Sequence, residues 1–202
     1  MEIITLTSNN LPSANCYILI YGNSYSVIDP SISYDQALAE VPKLETLLLR
    51  YIILTHAHLD HMWGINTFVE RGGEVLVSKP DSDKLADPQR NCSFMLRGRI
   101  NSYTGKYRIV SDNEELIFGN ETLKVLLTPG HTSGSICLMA DKFGFTGDTL
   151  FAGGSYGRYD LPTGDARALA ESLRTLLSYP DDFVIYPGPG QATTIKQTKI
   201  YF

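Results

Sequence analysis

Short apolar runs separated by turn residues make up most of this chain. "CYILIY" (16–21) and "YSVID" (25–29) flank Gly22-Asn23, which predicts a β-hairpin. The fully apolar "YIILT" (51–55) predicts a buried strand, and "EVLVS" (74–78) another. A series of strand-sized runs follows: "YRIV" (107–110), "ELIFG" (115–119), "TLKVLLT" (122–128), "SICLMA" (135–140), "KFGFTG" (142–147) and "FVIYPG" (183–188). Helical spacing is clearest in "DARALAESLRTLLSY" (165–179), where Leu169, Leu173, Leu176 and Leu177 share a face. "QALAEVPKLETLLL" (36–49) predicts a helix pair that Pro42 restarts or kinks. "MWGINTFVERGG" (62–73) predicts a helix closed by Gly72-Gly73. Residues 80–105 are polar and aperiodic and yield no assignment. This order predicts mixed sheets with helices packed outside, and the number of strands predicts two stacked sheets.

Composition narrows the partners. The 202 residues, 43% hydrophobic and 19% charged, suit one globular domain over 1–202. The net charge is -5 and Lys and Arg are scattered, so nucleic acid is not expected. No apolar run approaches the roughly 20 residues of a membrane span. The start, "MEIITLTSNN", lacks a basic n-region and an apolar signal core, so the expected location is cytoplasmic. Cys16, Cys92 and Cys137 are odd in number and show no metal spacing, which predicts buried, reduced thiols.

"THAHLDHMWG" places His56, His58, Asp60 and His61 directly after the strand 51–55. His56 and His58 alternate at period two, so an extended segment projects both to one side. His131 follows a strand in "LLTPGH", and Asp148 follows one in "FGFTGDTLF". A single histidine after a strand is commonly a surface or capping residue. Here all four lie at strand ends beside turns, which is where ligands gather in α/β proteins. Imidazoles with carboxylates suit Zn, Fe or Mn.

With these motifs in hand, the chain resembles the metallo-β-lactamase superfamily, and within it the short single-domain hydrolases similar to glyoxalase II (hydroxyacylglutathione hydrolase). "VIDP" (27–30), "ILTHAHLDHMWG" (53–64), "TPGHTSGSICL" (128–138), "FTGDTLF" (145–151), "GRYDLPTGD" (157–165) and "VIYPGPGQATTI" (184–195) carry the likeness along nearly the whole chain. The resemblance implies an α+β fold, a four-layer αββα sandwich of two mixed sheets, with metal at one edge. It implies one or two zinc ions, with Fe or Mn as alternatives. His56, His58 and His131 form the first site in this reading. Asp60 and His61 serve the second, and Asp148 bridges.

Two departures stand out. Members with a full dinuclear site read Pro-Gly-His-Gly where this chain reads Pro187-Gly188-Pro189-Gly190. Pro189 has no side-chain donor, so the second site is expected to be weakened. The sequence runs to "KQTKIYF", so a counterpart of the helical domain that helps glyoxalase II hold glutathione is not expected. Arg158 and Tyr159 fall where glyoxalase II sets a basic and an aromatic residue against the thiol carrier. Arg158 either grips an anionic group there or pairs with Asp160 or another acid to fix the loop.

The chemistry that follows is attack of a metal-bound hydroxide on an acyl carbon, with Asp60 orienting the water or accepting its proton. A small acyl-thiol or related ester is the expected substrate, because a thiolate leaves with little acid assistance. Asp29 either orients the metal loop from behind the ligands or is a turn residue before Pro30. Three other readings compete: a mononuclear iron enzyme resembling the persulfide dioxygenases, using His56, His131 and Asp148; a lactam or lactone hydrolase; and a metal-binding protein with little or no catalysis.

Overall fold

A computed structural model describes residues 1–7, 14–95 and 101–202. Part of the unassigned stretch 80–105 therefore lies outside the described residues. The first sheet is built in chain order from β1 (Glu2–Thr7), β2 (Asn15–Tyr21), β3 (Ser24–Ile28), β4 (Leu48–Ile53), β5 (Glu74–Ser78) and β6 (Arg108–Val110). Its first three strands are antiparallel, and β3 to β6 run parallel. The second sheet has the order β12-β11-β10-β9-β8-β7. It comprises β7 (Glu115–Phe118), β8 (Glu121–Leu127), β9 (Ile136–Met139), β10 (Phe143–Gly147), β11 (Val184–Pro187) and β12 (Thr193–Thr194). Among the described residues, only the β10–β11 pair is parallel in this sheet. Helices α1 (Tyr34–Glu40), α2 (Leu59–Met62), α3 (Ile65–Val69), α4 (Lys79–Ser82), α5 (Ala166–Leu177) and α6 (Ile195–Lys199) complete the chain.

The apolar runs are continuous because these strands are buried on both faces. In β2, Cys16, Ile18 and Ile20 enter the core under the first helices, and Tyr17 and Leu19 enter the core between the sheets. β4 and β5 divide the same way: Ile52, Val75 and Val77 face the helices, and Ile53 and Leu76 face the other sheet. In β9, Ile136 and Leu138 face the inter-sheet core, while Cys137 and Met139 meet Leu169, Leu173 and Leu176 of α5. Three cores between four layers make the αββα sandwich, and each fully buried aliphatic side chain contributes about 1.5–3 kcal/mol. The three cysteines are free and buried. No helix among the described residues is long and apolar enough to cross a membrane.

Several local expectations differ from the structure. The run 36–49 holds one α-helix, capped by Ser33 and Gln36 in a reciprocal box, then a 3-10 turn opened by Pro42. The leucines at 48–49 already belong to β4, with Leu48 pointing to solvent and Leu49 inward. The run 62–73 is two short helices, and the first begins at Leu59, so Asp60 and His61 are helical. β1 escaped prediction because it is an edge strand with a mostly exposed, weakly alternating pattern. α4, β12 and α6 are too short to show a period.

Candidate metal centre

Strands of both sheets end at one edge, and the histidines stand on the segments that leave them. β4 ends at Ile53, and His56 and His58 lie on the loop before α2, which bends at Thr55 and His56 and is extended at His58. His131 follows β8, Asp148 follows β10, and the turn at 188–190 follows β11. The Thr55 carbonyl accepts from Ile136 N–H (2.8 Å), which ties the two sheet ends together. Gly130 shows why this turn carries a glycine. Its φ is +139°, and a Cβ there would stand 2.3 Å from the Leu169 backbone. α5 can therefore start against the turn, capped by Asp165, whose own N–H donates to the Gly130 carbonyl (2.8 Å).

The four imidazoles are nearly inaccessible to solvent. His131 Nε2 lies 3.2 Å from His56 Nε2 and 2.9 Å from His58 Nδ1. His61 Nε2 lies 3.1 Å from Asp148 Oδ1 and 3.9 Å from Asp60 Oδ2, and Asp148 Oδ2 is 3.6 Å from His131 Nε2. Two clusters of ligand-type atoms result: His56, His58 and His131, and His56, His61 and Asp148. Asp60 stands at the rim, more exposed than the rest.

The outer atoms of the rings decide what the inner atoms offer. His131 Nδ1–H donates to the Arg158 carbonyl (2.6 Å), and His61 Nδ1–H donates to Asp29 Oδ2 (2.8 Å). His56 Nδ1 meets Thr55 Oγ1 (3.2 Å), which donates in turn to Asp29 Oδ2 (2.7 Å). Asp29 Oδ1 accepts Thr55 N–H (2.7 Å). With their Nδ1 protons engaged, His56 and His131 present Nε2 lone pairs inward, while His61 turns Nε2 toward Asp148. Lone pairs facing one another at such distances repel unless a cation lies between them. Two nitrogens on one ion at bonds of ~2.0–2.1 Å stand about 3.3 Å apart at the tetrahedral angle, close to the spacing here. Among the described residues, His61 Nε2 and Asp148 Oδ1 are buried with no hydrogen-bond partner. The donor set therefore fits a metal ion.

Electrostatics agree. Burial, then the neighbouring imidazoles, holds His56 and His58 well below the ordinary histidine pKa, so they stay neutral. At His61 burial also opposes the charged form, but Asp148, Asp29 and Asp60 outweigh it and raise the pKa. Burial opposes ionised Asp148, but His61, His131 and His58 hold its pKa below the usual carboxylate range. Burial pushes Asp60 up against the pull of His61. This half of the centre therefore has room for positive charge.

Asp29, expected either to orient the loop or to sit in a turn, is fully buried and receives three hydrogen bonds from the histidine segment. Asp81 escaped sequence reasoning. It accepts Ala57 N–H (2.8 Å) and Thr132 Oγ–H (3.0 Å), so one carboxylate grips both histidine loops, and buried Lys84 compensates its charge at 2.5 Å. Burial lowers the Lys84 pKa against the pull of Asp81. Nothing in "SKPDSDKLAD" distinguishes these two residues from their charged neighbours.

A cleft of about 330 Å3 opens onto His58, Asp60, His131 and Asp148. Leu59, Cys92, Met95, Phe151, Tyr156, Leu161 and Pro189 wall it. Pro189 thus stands at the centre without a donor atom. The preceding Gly188 has no room for a side chain, since a Cβ would lie 2.2 Å from Asp148 Oδ1 and 2.8 Å from His61 Cε1. Arg158 also lines the cleft, but its guanidinium is held by both oxygens of Asp160 at 2.9 Å. Tyr159 lines a neighbouring cavity instead.

Comparison with known proteins points the same way. A hydroxyacylglutathione hydrolase, GloC of Haemophilus influenzae, is 33% identical over 180 residues, 86% of this chain and 84% of its own. The crystal structure of the BLEG-1 B3 metallo-beta-lactamase superposes with a TM-score of 0.84 at 30% identity, covering 96% of this chain and 95% of that one. TTHA1623, solved in a di-iron-bound form, gives a TM-score of 0.84 at 29% identity, covering 98% and 97%. The family model of the Metallo-beta-lactamase superfamily matches residues 10–188, a span that holds every histidine and carboxylate of the centre. Sandwich, strand-end imidazoles and sequence match agree, and the chain belongs to the metallo-beta-lactamase superfamily.

Proposed function

We propose that this protein is a metal-dependent hydrolase of a small thioester, or of a related ester. The observation that carries the reading is the convergence of two buried imidazole nitrogens, His56 Nε2 and His58 Nδ1, within 3.2 Å of His131 Nε2 at the floor of an open cleft. In this reading His56, His58 and His131 hold the principal ion, while His61 and Asp148 line the adjoining position. Zinc, iron and manganese all suit imidazole with carboxylate. Bound there, the ion supplies Lewis acidity and lowers the pKa of a water from roughly 15.7 to about 7.

The protein's own groups do the rest. Asp29 and the Arg158 carbonyl, each bonded to an outer Nδ1, orient the rings of His61 and His131 with Nε2 toward the ion position. Asp60 Oδ2, at the rim beside His61, takes the proton released when the acyl carbon is attacked. Leu59, Met95, Phe151 and Leu161 form an apolar wall that seats the acyl portion and limits water. No protein acid near the leaving group is required for a thiolate. The GloC relative is named for a thioester hydrolysis, which supports this substrate class.

The test is a turnover screen of the metal-loaded protein on acyl-thiols, simple esters, a β-lactam and a persulfide. Release of free thiol from an acyl-thiol, with the other rates far lower, is the expected result. Oxygen consumption on the persulfide without thioester cleavage would replace this reading with a dioxygenase.

A further inference from the structure

Beside the metal cleft lies a second cavity of about 420 Å3, and Tyr156 walls both. Its floor is one face of α5, where Ala166, Leu169, Ala170, Leu173 and Leu177 recur at helical spacing. The two alanines, one turn apart, make that face concave. Tyr156, Tyr159 and Phe202 stand around it, 45%, 46% and 58% exposed. Arg174 closes the rim. Arg174, like Arg50, Arg71 and Arg90, has no acidic partner within 4.0 Å among the described residues, in contrast to Arg108, Arg158 and Arg167. The volume is that of a small-molecule site, mostly apolar with one convergent polar group.

We propose that this cavity binds an amphipathic carboxylate, with its alkyl or aryl body over Leu169 and Leu173 and its anionic group on Arg174. Because Tyr156 is common to both spaces, the occupant is the part of the substrate remote from the reacting bond. That clause rests on the hydrolase reading; the binding itself does not.

The probe is decanoate, titrated calorimetrically into wild type, Ala170→Phe, Arg174→Gln and His131→Ala. Wild type should bind it. Ala170→Phe fills the floor and should weaken binding at least about ten-fold, the loss of roughly two buried methylenes. Arg174→Gln should weaken it about two- to five-fold and flatten its salt dependence. His131→Ala should leave it unchanged. Thermal melts check folding, and Tyr159→Ala replaces Ala170→Phe if that variant melts early. Three results would overturn the proposal: no binding by wild type, equal binding by all variants, or loss confined to His131→Ala. A concentration-dependent dimer that Ala170→Phe dissociates would do so too, since the cavity would then be a contact between copies. Decanoate binding as expected without thioester turnover would refute the hydrolase reading alone.

Discussion

Asp29→Asn changes a carboxylate to an amide of the same shape at a buried position, so its effect isolates hydrogen bonding. Asp29 accepts from Thr55 N–H, Thr55 Oγ–H and His61 Nδ1–H at 2.7, 2.7 and 2.8 Å. An asparagine offers one acceptor oxygen, so one of its two orientations must be chosen. If the amide nitrogen faces Thr55 N–H, two donors meet and a buried N–H loses its partner, which costs about 1–3 kcal/mol. If it faces His61, it donates to Nδ1 and moves the ring proton onto Nε2, the atom turned to the metal. For a chain of this size about 1–3 kcal/mol lowers the melting temperature by roughly 2–12 °C. Loss of an outer partner of a ligand costs about 10–100-fold in metal affinity. The assays are thermal melting of the metal-free protein and chelator competition on the loaded protein. At least one readout must move. A variant that melts with wild type and binds metal equally would refute the role assigned to Asp29.

Lys84→Met strands the buried Asp81 charge and should cost about 3–5 kcal/mol, read as a melting temperature lower by roughly 6–20 °C. An unchanged melt would show that Asp81 needs no compensation. The metal-free protein should be most stable near pH ~6.5, the ordinary histidine value. Below it the unfolded chain takes up protons that His56 and His58, held low, refuse when folded, so stability falls with falling pH. Above it the folded state alone keeps the His61 proton, so the stability this supplies is lost as pH rises through the raised pKa. Denaturant titrations across pH measure the profile, and a monotonic rise through pH 8 would contradict it. Pro189→His should add a second tightly held ion; elemental analysis after dialysis against a mild chelator reads it, and two tight equivalents in wild type would refute the weakened-site expectation.

The sequence made most of the sandwich legible because its strands are buried on both faces and leave continuous apolar runs. Edge strand β1 has one exposed face and no such run. Pro42 marked the end of α1, but its neighbours Leu47 to Leu49 fit helix and strand alike, and strand packing decided between them. The histidines were visible because imidazoles are few and their spacing is distinctive. Asp81 and Lys84 were not, because a buried charge pair looks like any surface pair until the fold encloses it. Tyr159 was legible as a loop aromatic, yet only the structure shows that it faces the α5 cavity rather than the metal cleft.

The most direct measurement is the metal content and thioester turnover of wild type beside His131→Ala, after dialysis against a mild chelator. His131 Nε2 is the atom on which His56 and His58 converge. Wild type should retain about one equivalent of metal and cleave an acyl-thiol, and His131→Ala should lose most of both, because three imidazoles set the affinity. Full metal content and undiminished turnover in the variant would contradict the account.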